Sequence, residues 1–70
     1  MGQVLNNRIA ELREKKNLTQ QELADAIKIE RTALSNIENC KYYPSAKTMK
    51  AISDALREPI GEIFFNPSVW

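Results

Sequence analysis

The chain has no histidine and only one cysteine, two glycines and five aromatic residues, and its longest apolar runs are a few residues. Each shortage excludes something. Without histidine, without a Gly-rich phosphate loop and without a cluster of metal-ligating side chains, the usual parts of an active site are missing. Ser35 or Cys40 as a nucleophile would have no base to activate it. We therefore expect no enzyme activity, no cofactor and no metal. A lone cysteine forms no internal disulfide framework and has no resolving partner for a redox cycle, so Cys40 reads as a small packed or surface thiol. No segment has the apolar length of a membrane span or a signal peptide, and a cytoplasmic protein is expected. Seventy residues allow one domain with one small core, near the lower limit for folding without staples. Stability must come from close helix packing, with oligomerisation as a further source.

Charge of one sign is also scarce overall, since ten Lys+Arg face nine Asp+Glu. The distribution is more informative. Residues 1–50 carry nine basic and six acidic groups, and residues 51–70 carry one basic and three acidic. The positive excess therefore lies in the first fifty residues.

The stretch from Thr19 to Glu38 carries the densest pattern. Thr19 and Glu22 have capping-box spacing, and Leu18 and Leu23 have the spacing of a hydrophobic staple, so a helix is expected from Gln20. Leu23, Ala24 and Ile27 form its apolar face, interrupted at Lys28-Ile29. A second helix follows, with Ala33, Leu34 and Ile37 inward and Arg31, Thr32, Ser35 and Asn36 outward. A short helix with a hydrogen-bonding outer face, propped on a preceding helix, is the arrangement that helix-turn-helix DNA binding requires. Glu30 just before it has two readings, a cap or an acceptor from a cytosine amino group, and we favour the cap.

Around this pair, Leu5, Ile9 and Leu12 recur at helical spacing, with Lys15 and Lys16 in the last turn and Asn17 suited to a left-handed end. The basic end is either solvated or placed against phosphate. After the pair, residues 39–44 read as a loop and Ser45 as an N-cap. Met49, Ile52, Ala55 and Leu56 give a fourth helix. Pro59 suits the first position of a fifth, with Ile60, Ile63 and Phe64 on its apolar side. The expected fold is all-α, a compact five-helix domain over residues 1–70 with the helix-turn-helix at about 19–39.

These segments resemble the helix-turn-helix regulators of the lambda-repressor and Cro type, also called XRE-like. The resemblance rests on Leu12-Arg13-Glu14, Leu18-Thr19-Gln20-Gln21-Glu22-Leu23-Ala24, Ser35-Asn36-Ile37-Glu38-Asn39, and Pro44-Ser45 ahead of a helix, and it runs from about Ile9 to Phe64. Two positions depart from the pattern. Lys28 and Cys40 stand where the family usually has glycine, and both sites favour positive φ, at a cost of roughly 1–2 kcal/mol for other residues.

The resemblance implies a sequence-specific transcriptional regulator, expected to be a repressor that binds duplex DNA as a homodimer on two half-sites, with no small-molecule ligand. Arg31, Thr32 and Asn36, at the first, second and sixth positions of the recognition helix, are the expected base contacts. Ser35 either joins them or permits close packing. Gln20 is expected on a phosphate, where the family's glutamine lies. Lys41 and Tyr42 either clamp another phosphate or are a solvated lysine and a core-covering tyrosine. Arg13 and Glu38, by resemblance, form an ion pair tying the first helix to the end of the recognition helix. Residues 60–70 are a candidate dimerisation segment through Ile60, Phe64, Phe65, Val69 and Trp70, with a tail folded over its own core as the other reading. An antitoxin-like autorepressor holding a protein partner, and an interaction module that has lost DNA binding, remain as alternative readings.

Overall fold

The computed structural model describes residues 7–41 and 43–64. Five helices follow one another: α1 (Ile9–Lys15), α2 (Gln20–Ile27), α3 (Arg31–Glu38), α4 (Ala46–Leu56) and α5 (Ile60–Phe64). No strand occurs among the described residues. The expected helical class and helix count hold. Leu5 of the anticipated first stripe lies outside the described residues.

Local chemistry explains where the helices start. The Asn7 side-chain oxygen accepts from the Ile9 amide at 3.2 Å, at the head of α1. At α2 the Thr19 hydroxyl accepts from the Glu22 amide at 3.0 Å, and the Glu22 carboxylate accepts from the Thr19 amide at 2.8 Å. Two otherwise unbonded amides are thus satisfied reciprocally. The Ser45 hydroxyl accepts from the Thr48 amide at 3.2 Å and opens α4. Pro59 sits one residue earlier than expected. It precedes α5, and its carbonyl accepts from the Glu62 amide at 2.9 Å. A proline carbonyl accepts as well as any other, so the ring fits the flanking position too.

The helices stop by a shared device. Asn17, Lys28, Cys40 and Arg57 follow α1, α2, α3 and α4, and all four have φ between 58° and 62°. The left-handed residue turns the chain so that the amide beyond it reaches back to a carbonyl of the last helical turn. Ile29 N donates to Ala24 O at 3.0 Å, and Lys41 N to Asn36 O at 2.8 Å. No described glycine has positive φ, so every one of these turns carries a side chain over strained backbone.

Leu23 and Ala24 of α2 meet Leu34 and Ile37 of α3, Met49, Ile52 and Leu56 of α4, Ile63 and Phe64 of α5, and Ile9 and Leu12 of α1 in one buried cluster. Leu18, Ile27, Ile29, Ala55 and Ile60 pack around its edge. α2 lies against both α3 and α4, and α5 closes the opposite side against α4 and α1. Arg8 N donates to Ile63 O at 2.7 Å and fastens the segment before α1 to α5. The Arg8 guanidinium also hydrogen-bonds Glu11, holding that carboxyl below its usual range. Inside this frame α3 is supported from below by α2, with its outer face free.

Candidate nucleic-acid interface

Leu34 and Ile37 set the orientation of α3, because both are buried and lie on one side of the helix. At about 100° per residue, Arg31, Thr32, Ser35 and Asn36 then fall within an arc of roughly 140° on the other side. Arg31 and Thr32 are exposed, whereas Ser35 and Asn36 are half-buried. The Ser35 hydroxyl accepts from Asn39 Nδ2 at 3.4 Å, one turn further on. Ala33, expected to point inward, is half-buried.

Arg13 lies behind this surface. Its Nε donates to Glu38 Oε2 at 2.9 Å, and its Nη2 reaches Glu38 Oε1 at 3.4 Å, a two-pronged pair. The side chains are only 12% and 7% exposed. Arg13 Nη1 also donates to the Leu18 carbonyl at 2.9 Å, so one guanidinium joins α1, the lead into α2 and the end of α3. Gln20 adds to the same cluster. Its Nε2 donates to Glu38 Oε1 at 3.0 Å, and its Oε1 accepts from Arg31 Nη1 at 3.5 Å. A chain of side chains therefore runs from Arg13 in the interior to Arg31 on the surface. Sequence reasoning placed Gln20 at the head of α2 but not in this chain, which links residues 18 and 11 positions apart.

Glu30 occupies the cap position of α3 but does not cap it, since its side chain accepts from no amide. This corrects the favoured reading. The residues that cap well are Ser, Thr, Asp and Asn, whose short side chains curl back to the first free amides. The extra methylene of Glu carries the carboxylate outward instead, and Glu30 is exposed. With Arg31, Thr32, Gln21, Asp25 and Lys28 it lines an open, polar depression at the leading end of α3.

Lys41 is exposed beyond α3, and Tyr42 lies outside the described residues. Tyr43 is 56% exposed and is the one large hydrophobic side chain so exposed among those described. Lys47, in the first turn of α4, is also exposed. Pro44, next to Tyr43, is buried. Among the described residues Lys28, Arg31 and Lys41 form no ion pair, whereas Arg8, Lys16 and Lys50 are paired with Glu11 and Glu62, Glu58 and Asp54. Lys28 and Arg31 nevertheless share their depression with the carboxylates of Asp25 and Glu30.

At the other end of the chain, Ile63 and Phe64 are completely buried within the domain, and Ile60 is half-buried. Phe64 therefore offers no surface for a second subunit, contrary to its place in the candidate dimerisation set. Its ring fills the chain's own core. Phe65, Val69 and Trp70 of that set lie outside the described residues.

Comparison with known proteins agrees with this arrangement. The chain matches the helix-turn-helix family over residues 9–63. It is 40% identical over 58 residues to the HTH-type transcriptional activator BcrR of Enterococcus faecalis, a match covering 83% of this chain and 28% of that protein. It is 36% identical over 52 residues to the immunity repressor protein of Bacillus phage phi105, covering 74% of this chain and 36% of that one. The chain thus corresponds to a minority of the length of both relatives. Its fold is similar to that of the clp gene regulator ClgR from Corynebacterium glutamicum, with a TM-score of 0.72 at 24% identity over 76% of this chain and 56% of that one.

Proposed function

The chain belongs to the helix-turn-helix family of lambda-repressor and Cro type, a family of transcriptional regulators, and on that premise we propose that it binds duplex DNA in a sequence-specific manner. The observation that carries the proposal is the outer arc of α3, which presents Arg31, Thr32, Ser35 and Asn36 together while Glu38 is held to Arg13 behind it. In the major groove Arg31 donates to guanine O6 and N7, Asn36 pairs with adenine N6 and N7, and Thr32 offers its methyl to thymine. Gln20 has a second amide hydrogen besides the one given to Glu38, and that hydrogen is left for a phosphate. In this reading Lys41 and Tyr42 contact a further phosphate, and the exposed Tyr43 and Lys47 follow them in the sequence.

The finer reading is a homodimeric repressor acting as one domain on an operator with two half-sites. One recognition helix covers only a few base pairs, and a two-fold pair reads half-sites about 34–36 Å apart. The apolar residues Ile60, Phe65, Val69 and Trp70 near the C-terminal end supply the contact. A domain with this surface represses by occupying the promoter.

Selection of bound sites from random duplexes tests the proposal. A recovered site with two-fold symmetry and a spacing of one helical turn is the expected result. Absence of salt-dependent retention of any duplex overturns it.

A further inference from the structure

Glu30 poses a question that the other acidic side chains do not. Among the described residues, seven of nine carboxylates have a partner within the chain: Glu22 in its capping box, Asp25 with Gln21, and the others in ion pairs. Glu14 and Glu30 have none, and of the two only Glu30 adjoins the recognition helix. On the DNA-binding reading, a free carboxylate there would be repelled by nearby phosphates unless it met a donor. It makes no capping hydrogen bond to α3, so no contact within the chain fixes its carboxylate.

We infer that Glu30 is a specificity-determining residue that accepts from the exocyclic amino group of a cytosine within one base pair of the guanine read by Arg31. The inference rests on the DNA-binding reading and deepens it. The base edges in the major groove decide which partner fits. Guanine and thymine present acceptors to a carboxylate and are rejected. Adenine has a donor at N6 but an acceptor at N7 beside it. Cytosine presents its N4 donor alone. The exposed carboxylate leaves α3 from extended backbone (φ −70°, ψ 148°), next to Arg31 in the wall of the same depression. Glu30 thereby turns a repulsive charge into discrimination, penalising three of the four bases.

The test compares the unaltered protein with E30Q and E30A in selection from random duplexes, with R31A used to locate the arginine's guanine. The unaltered protein should select cytosine beside that guanine. E30Q should replace it with adenine, whose N6 and N7 match a carboxamide. E30A should flatten that position, with about a tenfold loss of discrimination. Thermal melts of E30Q and E30A should match that of the unaltered protein, since the side chain is exposed. Cytosine persisting in E30A overturns the inference. So does a uniform gain in affinity with no change of base, which would reduce Glu30 to a repulsive charge. If the unaltered protein retains no duplex even at low salt, the DNA-binding reading falls and this inference with it. A well-defined site that both substitutions leave unchanged removes the inference alone.

Discussion

Gln20 Nε2 lies 3.0 Å from Glu38 Oε1, so the first residue of α2 is hydrogen-bonded to the last residue of α3. The two helices of the motif are therefore joined by polar side chains as well as by Leu23, Leu34 and Ile37 below them. Glu38 receives this bond while also paired with Arg13, which leaves it well satisfied for a carboxylate with only 7% of its side chain exposed.

Replacing Glu38 by Ala should destabilise the fold by about 3 kcal/mol, because the Arg13 charge would stay largely buried without its counter-charge. Denaturant unfolding measures this. A loss below about 0.5 kcal/mol would class the pair with exposed ones. The double substitution with Arg13→Ala should cost less than the sum of the single ones.

Arg31→Ala should weaken specific binding by about 1–3 kcal/mol and relax preference at one base pair, with thermal stability nearly unchanged. Binding titrations on the selected site and on random duplex separate the possibilities. Equal losses on both would demote Arg31 to a phosphate contact.

Gln20→Ala should lower affinity for all sequences alike, since a phosphate contact positions the protein without reading bases. Its salt slope should become shallower or stay unchanged. A shifted base preference would instead show that the 3.5 Å contact with Arg31 orients the arginine.

Arg57→Gly should raise stability by about 0.5–1 kcal/mol. The substitution relieves roughly 1–2 kcal/mol of left-handed strain at φ 59°, offset in part by the greater freedom of glycine in the unfolded chain. Arg57 is exposed and makes no ion pair among the described residues, so nothing else should change. A lowered melting temperature would mean that the arginine contributes more than its backbone costs.

Deleting residues 67–70, or changing Phe65 and Trp70 to polar residues, should convert a dimer to a monomer and weaken operator binding. Sedimentation velocity at tens of micromolar settles it. A monomeric unaltered protein, or a dimeric truncation, would place the dimer contact elsewhere or nowhere.

How much could be read beforehand depended on the range of the interaction. The Thr19–Glu22 box, the Ser45 cap and the left-handed Asn17 follow from neighbours within a few positions, where residue type and spacing decide the geometry. Arg57 at φ 59° was not legible, since neither glycine nor asparagine marks the site. The bond from Asn7 Nδ2 to the Ile37 carbonyl, at 2.9 Å, depends on tertiary approach across thirty positions. The position of Glu30 at the head of α3 is legible, but position alone does not say whether its side chain curls back to cap the helix, and it does not. Phe64 was legible as apolar, but only packing decides whether an apolar ring faces inward or toward another subunit.

The polar ties on α3 have a mechanical consequence. Asn7 holds the Ile37 carbonyl, while Arg13 and Gln20 hold Glu38, all at the C-terminal end of the helix. At the other end the Glu30 side chain is unattached, and Arg31 has only the 3.5 Å contact with Gln20. The side-chain polar clamp of α3 is thus at its rear, while Leu34 packs its middle into the core. With about 1.5 Å of rise per residue, its tip stands about 10 Å from the clamp. A tilt of roughly 5° at Glu38 sweeps Arg31 through about 1 Å over that arm. That displacement is on the scale that separates a good hydrogen bond from none. Substitutions around Arg13 and Glu38, remote from any base, therefore act on the aim of the residues at the tip.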